Sequence, residues 1–219
     1  MKASPETDDR TKPKSVISRR EILDAAAALF RAKGYYATTL RDIASAVGMK
    51  AGSVYYHFDS KEQILEEVLD IGIQAVFDAV RDGVEKLPAG TPWRERFCVA
   101  LEAHLTALLK LGDYTSANIR VFGQAPKSIQ ERHLRVRRSY EAYWKDFYQR
   151  ARTAGEIREN LNLTALRLLA FGGMNWAIEW YKPNKGAIEK LAKAYADILF
   201  DGAHPVKSAS QPTPSYRTD

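Results

Sequence analysis

Between residues 50 and 61 a short run of hydrogen-bond donors could recognise another molecule. Lysine, serine, tyrosine and histidine side chains can donate to base edges and phosphate oxygens, and small residues among them allow close approach. The donor-rich set expected at the surface is Lys50, Ala51, Ser53, Tyr55, Tyr56 and His57, with Lys61 following where a phosphate would pass. In the alternative interpretation, Tyr55, Tyr56 and Phe58 are core residues of an ordinary helix pair. The pattern alone leaves both interpretations open.

Catalytic and metal-binding patterns are missing from the sequence. No nucleophile has a base beside it, and no carboxylate pair or glycine-rich phosphate loop is present, so we do not expect an enzyme. Cys98 is the only cysteine, which excludes an internal disulfide. The four histidines, His57, His104, His133 and His204, are far apart and lack ligand spacing. We therefore predict neither a cofactor nor a structural metal.

The charge balance favours a polyanionic partner. The formal net charge is +6 and the pI is near 9.3, and basic side chains that neutralise phosphates release counterions. No run of about 18 apolar residues occurs that could span a membrane. The first ten residues also lack the apolar stretch of a secretory signal. We expect a cytoplasmic protein that does not associate with membranes.

Apolar residues recur at helical spacing through nearly the whole chain, which predicts an all-α protein. Residues 1–15 and 203–219 are polar, with proline, serine and threonine, and are expected to be disordered tails. We expect an N-terminal domain over 16–60 and a C-terminal domain over 61–202. In the latter, helices are predicted over 60–87, 93–111, 116–122, 128–154, 163–181 and 185–200.

The N-terminal domain has the pattern of a helix-turn-helix. Thr39 and Asp42 are spaced like a capping box at the start of a helix, and Gly48 is placed to leave that helix in a left-handed turn. A second short helix is expected over 51–57. Two helices joined by a tight turn are the usual means of placing donors in the major groove.

The stretch from Arg20 to Leu65 contains a specific combination of residues: Phe30, Gly34-Tyr35, Thr38-Thr39, Ile43-Ala44, Val47-Gly48, Val54-Tyr55-Tyr56-His57-Phe58 and Lys61. With this combination the stretch resembles, without a gap, the N-terminal domain of the TetR family of repressors. It implies a ligand-responsive repressor that binds a near-palindromic double-stranded DNA operator as a homodimer, because two-fold protein symmetry requires two-fold operator symmetry.

Site residues follow from this resemblance by position. Thr39, Tyr55 and Lys61 would hold phosphates, while Lys50, Ala51, Ser53, Tyr56 and His57 would face the major groove or its rim. Tyr35 and Phe58 are expected in the core. The basic residues Lys12, Lys14, Arg19 and Arg20 could reach the DNA backbone or a minor groove, or form a solvated basic tail.

Two apolar stripes near the C-terminus must be covered. The resemblance implies that these helices form a four-helix bundle with a partner's pair, in which Gly172-Gly173 would allow close approach. The interface residues expected are Leu166, Leu169, Gly173 and Met174 on one helix and Ile188, Leu191, Tyr195 and Ile198 on the other. The alternative is that both stripes belong to the core of one chain.

Aromatic and basic residues are concentrated in the middle helices. Between Arg120 and Arg152 there are nine basic residues against three acidic ones, which suits an amphipathic anion above an aromatic tunnel. A solvated helix face is the alternative for most of these charges, and packed core for most of the aromatics. The expected ligand-binding residues are His104, Asn118, Phe122, Arg138, Tyr140, Tyr143, Trp144, Phe147, Asn175 and Trp176.

The segment from Gly172 to Pro183 also resembles TetR-family members that sense acyl-CoA thioesters. This second resemblance covers about ten residues. It implies an acyl-CoA or related carboxylate as effector, with its phosphates near Arg132, Arg135 or Arg138. The alternatives are a multidrug or other small-molecule regulator, which would need buried acids such as Glu102, Glu141 or Glu179, and a helical scaffold that binds no DNA.

Overall fold

The protein is all-α in the computed structural model, which describes residues 18–182 and 188–203. Its helices are α1 (Arg19–Lys33), α2 (Leu40–Ala46), α3 (Ala51–Val54), α4 (Lys61–Glu85), α5 (Trp93–Lys110), α6 (Gly112–Ser116), α7 (Lys127–Thr153), α8 (Leu163–Trp180) and α9 (Ile188–Ala203). A π-helical turn (Ala117–Val121) and a 3-10 turn (Phe122–Gln124) join α6 to α7. The predicted fold class is confirmed; the predicted tails lie almost wholly outside the described residues.

Side-chain caps set the start of the helices around the predicted helix-turn-helix. The Thr39 hydroxyl accepts a hydrogen bond from the Asp42 N–H, and the Asp42 carboxylate accepts one from the Thr39 N–H, which completes the expected capping box. Ser60 caps α4 by accepting from the Gln63 N–H. Gly48 has a φ of 71°, so the turn after α2 has the left-handed conformation expected of it.

Two hydrophobic cores share helix α4. The N-terminal core joins α1–α3 to the first half of α4, including Ile64 and Leu69, and also to α6, the π-helical turn and the start of α7. The C-terminal core joins the second half of α4, including Val76 and Val84, to α5, α7, α8 and α9. The start of α4 therefore packs with the domain that we predicted to end at residue 60.

The segment between α5 and α7 lies directly against the backbone of α4. Asn118 in the π-helical turn donates to the carbonyls of Leu69 and Tyr114, at 2.8 and 3.3 Å. A Cβ at Gly72 would come within 2.6 Å of Asn118 Nδ2 and 2.7 Å of the Tyr114 carbonyl oxygen, so only glycine fits there. The single helix predicted over 116–122 is wrong: contacts with α4 divide this segment into three short elements.

Candidate nucleic-acid surface and ligand cavity

Helix α3 and the turn after it present the donor-rich surface expected from the sequence. Lys50 is exposed, and Tyr55 and Tyr56 are 58% and 89% exposed. These exposures exclude the alternative in which the two tyrosines belong to the core. Ala51, Ser53 and His57 are partly exposed on the same short segment.

Two buried side chains fix this surface to the domain. Val54 and Phe58 are 0% and 1% exposed and belong to the N-terminal core. The guanidinium of Arg19 lies 4.4 Å from the centre of the Phe58 ring. The helix is shorter than predicted, because it ends at Val54 and residues 55–57 form a turn. The exposed donors thus lie on a rigid support.

Lys61 braces the loop between α1 and α2. Its ammonium donates to the carbonyls of Tyr35 and Thr38, at 3.0 and 2.9 Å, and lies 4.1 Å from the centre of the Tyr35 ring. The Tyr35 hydroxyl donates to Glu62 over 2.7 Å, and burial raises the pKa of this buried tyrosine. An ammonium has three donors, so these two hydrogen bonds leave one N–H of Lys61 unused while the side chain positions the loop.

A cavity of about 80 Å³, open on one side to solvent, lies between α4, α5, α6, the π-helical turn, α7 and α8. Its wall is apolar on the α4 side, whereas α5, α7 and α8 contribute both polar and apolar residues. The lining residues are Gly72, Ile73, Val76, His104, Leu108, Thr115, Asn118, Ile119, Arg137, Tyr140, Glu141, Phe171 and Asn175.

A chain of hydrogen bonds joins three of the polar wall residues. His104 is 3% exposed, its Nδ1 lies 2.7 Å from the Tyr140 hydroxyl, and its Nε2 lies 3.3 Å from Asn175 Oδ1. Burial lowers the pKa of His104 to about 4, so the ring is neutral near pH 7. Burial also raises the pKa of Tyr140, whose hydroxyl keeps its proton.

Arg137 is a charged group in the cavity wall without a carboxylate partner. Burial lowers the pKa of its guanidinium, which lies 4.6 Å from the centre of the Phe122 ring. The nearby Glu141 pairs instead with Arg167, at 3.8 Å. Among the described residues, no carboxylate lies within ion-pair distance of Arg137. A partly desolvated cation of this kind favours an anion or a strong acceptor in the cavity.

Four of the ten predicted ligand-binding residues line the cavity: His104, Asn118, Tyr140 and Asn175. The other six do not. Tyr143 packs on Phe77, Trp144 and Phe147 lie in the C-terminal core, and Phe122 packs behind the wall against His133. Arg138 and Trp176 are exposed because each follows a wall residue by one position, and successive residues on a helix point about 100° apart.

Residues 137, 140 and 141 form the face of α7 toward the cavity, at helical spacing i, i+3 and i+4. The sequence prediction named Arg138 as a ligand-binding residue and did not include Arg137. It also missed Thr115, Phe171 and the α4 residues, although the apolar period of α4 could have indicated the last of these. Contact of any of these residues with a ligand stays a prediction.

His133 links the cavity wall to α4. The ring is fully buried, with Nδ1 at 2.7 Å from the Asp70 carboxylate and Nε2 at 2.7 Å from Asn118 Oδ1. The Asn118 amide donates on its other side to the carbonyls described above, so its oxygen must face the histidine. Both ring nitrogens therefore face acceptors, and the wall residue Asn118 is fixed to α4 through the ring.

Gln124 links the same segment to the loop between α1 and α2. Its side-chain oxygen accepts from the Tyr35 N–H over 2.9 Å, and a Cβ at Gly34 would lie 3.0 Å from that oxygen. The 3-10 turn that carries Gln124 follows directly after the turn that lines the cavity. Arg132 also pairs with Glu66 at the start of α4, which occupies one of the arginines expected to bind phosphate.

The predicted interface residues divide between the core and the surface. Leu166 and Met174 are buried within one chain at 7% and 0% exposure, so both belong to the protomer core and the prediction for them is wrong. Leu169 and Ile198 are 67% and 70% exposed. The remaining four, Gly173, Ile188, Leu191 and Tyr195, are partly exposed. At Gly173 the close approach is internal, because Tyr195 donates to its carbonyl at 3.3 Å.

In the described ranges, no three His, Cys, Asp or Glu side chains form a group that could hold a metal. None of the described helices is long and apolar enough to cross a membrane.

Comparisons with known proteins match both halves of the chain. The family model of bacterial regulatory proteins of the TetR family matches residues 22–68, and a tetracyclin repressor-like C-terminal domain matches residues 90–203. The HTH-type transcriptional repressor KstR2 of Rhodococcus jostii is 31% identical over 207 residues, which cover 91% of this chain and 97% of that repressor.

Solved structures share the fold. The ketosteroid transcriptional regulator KstR2 of Mycobacterium tuberculosis aligns with a TM-score of 0.75 at 24% identity, over 88% of this chain and 98% of that one. AibR, solved with isovaleryl coenzyme A and operator DNA, aligns with a TM-score of 0.72 at 23% identity, over 83% of this chain and 97% of that one.

Proposed function

Because the chain belongs to the TetR family of bacterial transcriptional regulators, we propose that it is a cytoplasmic repressor that a small amphipathic anion releases from a palindromic operator. An acyl-CoA thioester is the effector class that we favour. The observation that carries this choice is the partly buried guanidinium of Arg137 in the cavity wall, which forms no ion pair in the described chain although Glu141 lies nearby.

The surface of α3 supports the DNA-binding part of the proposal. Tyr55, Tyr56 and Lys50 are exposed, whereas Val54 and Phe58 anchor the helix. Large exposed aromatic side chains beside donors favour a recognition surface. In this proposal Lys50, Ser53, Tyr56 and His57 face the major groove with Ala51, and Thr39, Tyr55 and Lys61 contact phosphates.

The chemistry of the cavity supports an effector with an acyl part and an anionic part. Ile73, Val76 and Leu108 provide an apolar wall for the acyl part. Arg137 lies at the wall, and Arg135 and Arg138 are exposed on the same helix, where phosphates could bind. The relatives are compatible with this class: AibR binds isovaleryl coenzyme A, and the KstR2 regulator of similar fold is a ketosteroid regulator.

Two connections could carry the effect of the ligand to α3. Asn118 joins the cavity to α4 through His133 and Asp70, and α4 packs in the N-terminal core. Gln124 joins the following turn to Tyr35. An effector that binds differently to two arrangements of these segments shifts the population between them, and it thereby changes the affinity for DNA.

A homodimer would present two copies of α3 to the two halves of the operator. Leu169 and Ile198, together with exposed Leu168, Trp176 and Trp180, give α8 and α9 an uncovered apolar face. A face of this kind is normally covered by a partner, and a second copy of the chain is the partner that the family implies.

The test is fluorescence anisotropy of the full chain with the intergenic DNA beside its own gene. We expect binding to this DNA at a salt concentration that abolishes binding to scrambled DNA of equal length. Isovaleryl-CoA and decanoyl-CoA then serve as effector probes, with free coenzyme A as the control. Release by cationic dyes and not by acyl-CoA would support a multidrug regulator, and equal binding to both DNAs would contradict the repressor.

A further inference from the structure

Among the neutral polar side chains of the cavity wall, Asn175 differs from the other four. Thr115 donates to the carbonyls of Leu108 and Leu111, at 2.7 and 3.0 Å. The amide of Asn118 is engaged at both its oxygen and its nitrogen. His104 and Tyr140 bond each other. For Asn175 the oxygen is engaged by His104, but the structure shows no acceptor for its Nδ2 in the described part of the chain.

The tautomer of His104 follows from the position of the Asn175 side-chain oxygen. A neutral imidazole has one N–H and one acceptor nitrogen. Asn175 Oδ1 can only accept, so the N–H is on Nε2, and Nδ1 accepts from the Tyr140 hydroxyl. The three residues therefore form a chain with a single direction, from Tyr140 through His104 to Asn175. The amide NH₂ lies at the end of this chain, in the cavity wall.

Asn175 is partly exposed in the cavity wall, so a ligand oxygen can reach its NH₂ group and serve as the missing acceptor. The cavity thus has two donor groups that lack a protein acceptor, and they differ in kind. Arg137 on α7 is charged, whereas Asn175 on α8 is neutral. One anionic group on a ligand satisfies the first donor and leaves the second without an acceptor.

We propose that Asn175 is a specificity-determining residue, whose amide N–H donates to a neutral oxygen on the acyl part of the effector, held in direction by Tyr140 and His104. The effector class is then an acyl thioester or carboxylate that carries a second oxygen, such as a ketone, in its acyl part. This inference rests on the proposed function, in which the same cavity binds an acyl-CoA.

The test compares two ligands of nearly equal shape, 4-oxopentanoyl-CoA and 4-methylpentanoyl-CoA, in which a methyl group replaces the ketone oxygen. Isothermal titration with the full chain gives the ratio of their Kd values. We expect at least about tenfold tighter binding of the oxo compound, because a site built to hydrogen-bond an oxygen rejects the analogue that lacks it. A ratio near one, or binding of neither compound at 1 mM, overturns the proposal.

Variants identify the residue responsible. Asn175→Leu should bring the ratio to one or below, mainly through weaker binding of the oxo compound. Asn175→Asp keeps the shape without the donor and should act in the same way, which covers the case in which the leucine variant does not fold. Arg137→Gln should weaken both ligands and keep the ratio. Gln149→Leu, the control, should also keep it, because that side chain is exposed on α7 outside the cavity. A preference that survives in both Asn175 variants overturns the assignment.

Anisotropy with operator DNA separates this inference from the function on which it rests. A ligand preference that depends on Asn175, without any effect on DNA binding, would contradict the proposed effector mechanism and leave the specificity residue in place. Equal release of DNA by both compounds would support the proposed effector mechanism and contradict the specificity role of Asn175.

Discussion

The side-chain oxygen of Gln124 accepts a hydrogen bond from the backbone N–H of Tyr35 across 89 positions of sequence. It joins the turn beyond the cavity to the loop that precedes α2. Phe122, in the same 3-10 turn, lies under the guanidinium of Arg137. Two residues of one 3-10 turn, Gln124 and Phe122, therefore connect the Tyr35 backbone with Arg137 in the cavity wall.

Gln124→Ala should weaken the coupling between ligand and DNA, because it removes this contact without touching either site. With isovaleryl-CoA as probe, we expect the ratio of operator Kd with and without ligand to fall at least about threefold, within the usual range of allosteric coupling. The control is Gln130→Ala, whose side chain donates to the Ala125 carbonyl within the same segment. Equal ratios in both variants would show that the contact is only structural.

Lys50→Ala should lower the affinity for operator and reduce the slope of log Kd against log salt by about one. The reason is that one positive side chain fewer then lies at the DNA, and about one counterion fewer is released on binding. The melting temperature should not change, since Lys50 is exposed and forms no side-chain cap. Lys145→Ala on the exposed side of α7 is the matched control. If Lys145→Ala lowers the slope equally, the effect comes from the net charge of the whole protein and not from a contact between α3 and DNA.

His104 should make the protein less stable in mild acid. Its pKa is lowered from 6.5 to about 4 in the folded state, so the unfolded chain takes up the proton first as the pH falls. The neutral ring contributes its full stabilisation above pH 6.5. As the pH falls from there to about 4, the free energy of unfolding decreases by about 3 kcal/mol. Urea unfolding of the protein and of His104→Gln should show a stability difference that shrinks over this range. A constant difference would mean that the ring does not titrate as expected.

Leu169→Glu combined with Ile198→Glu should give a monomer, because both side chains are largely exposed on the apolar face of α8 and α9. Analytical ultracentrifugation measures the mass, and circular dichroism should show unchanged helix content. Ala142→Glu adds the same charge to an exposed position on α7 and should leave the mass unchanged. A double variant that still sediments as a dimer would place the interface elsewhere.

Gly72→Ala should destabilise the protein by about 1–3 kcal/mol, as overpacking does. The added methyl would come within 3 Å of the Asn118 amide and the Tyr114 carbonyl, and backbone cannot move aside cheaply. Gly123→Ala, with no atom within 4 Å of its Cβ, should change the stability much less. Because alanine is the better helix former, unchanged or increased stability of Gly72→Ala would contradict the close contact.

The sequence predicted the local structure of the DNA-binding half well. The capping box of Thr39, the left-handed Gly48 and the cap at Ser60 depend on neighbours within a few residues. The π-helical turn could not be predicted in the same way, because Asn118 bonds the Leu69 carbonyl 49 positions earlier in the chain.

The sequence predicted four residues of the cavity wall, and the remaining lining residues were not predicted. One helical position separates Arg137 in the wall from the exposed Arg138. The number of basic residues cannot distinguish the two, because the choice depends on which face of α7 is turned toward the cavity. The same holds for Asn175 and Trp176 on α8. Aromatic residues at helical spacing also mark any packed core, which explains why Trp144 and Phe147 were chosen although they lie behind the wall.

The π-helical turn of Ala117–Val121 has a consequence for chain length. A π turn accommodates one more residue than an α turn, and each added residue rotates everything after it by about 100°. Phe122 and Gln124 therefore face Arg137 and Tyr35 only with that extra residue in place. A one-residue deletion in this turn would leave most of the cavity wall intact and turn Gln124 away from the helix-turn-helix. In the proposed mechanism, communication across the molecule thus depends on the number of residues in this turn as well as on their identity.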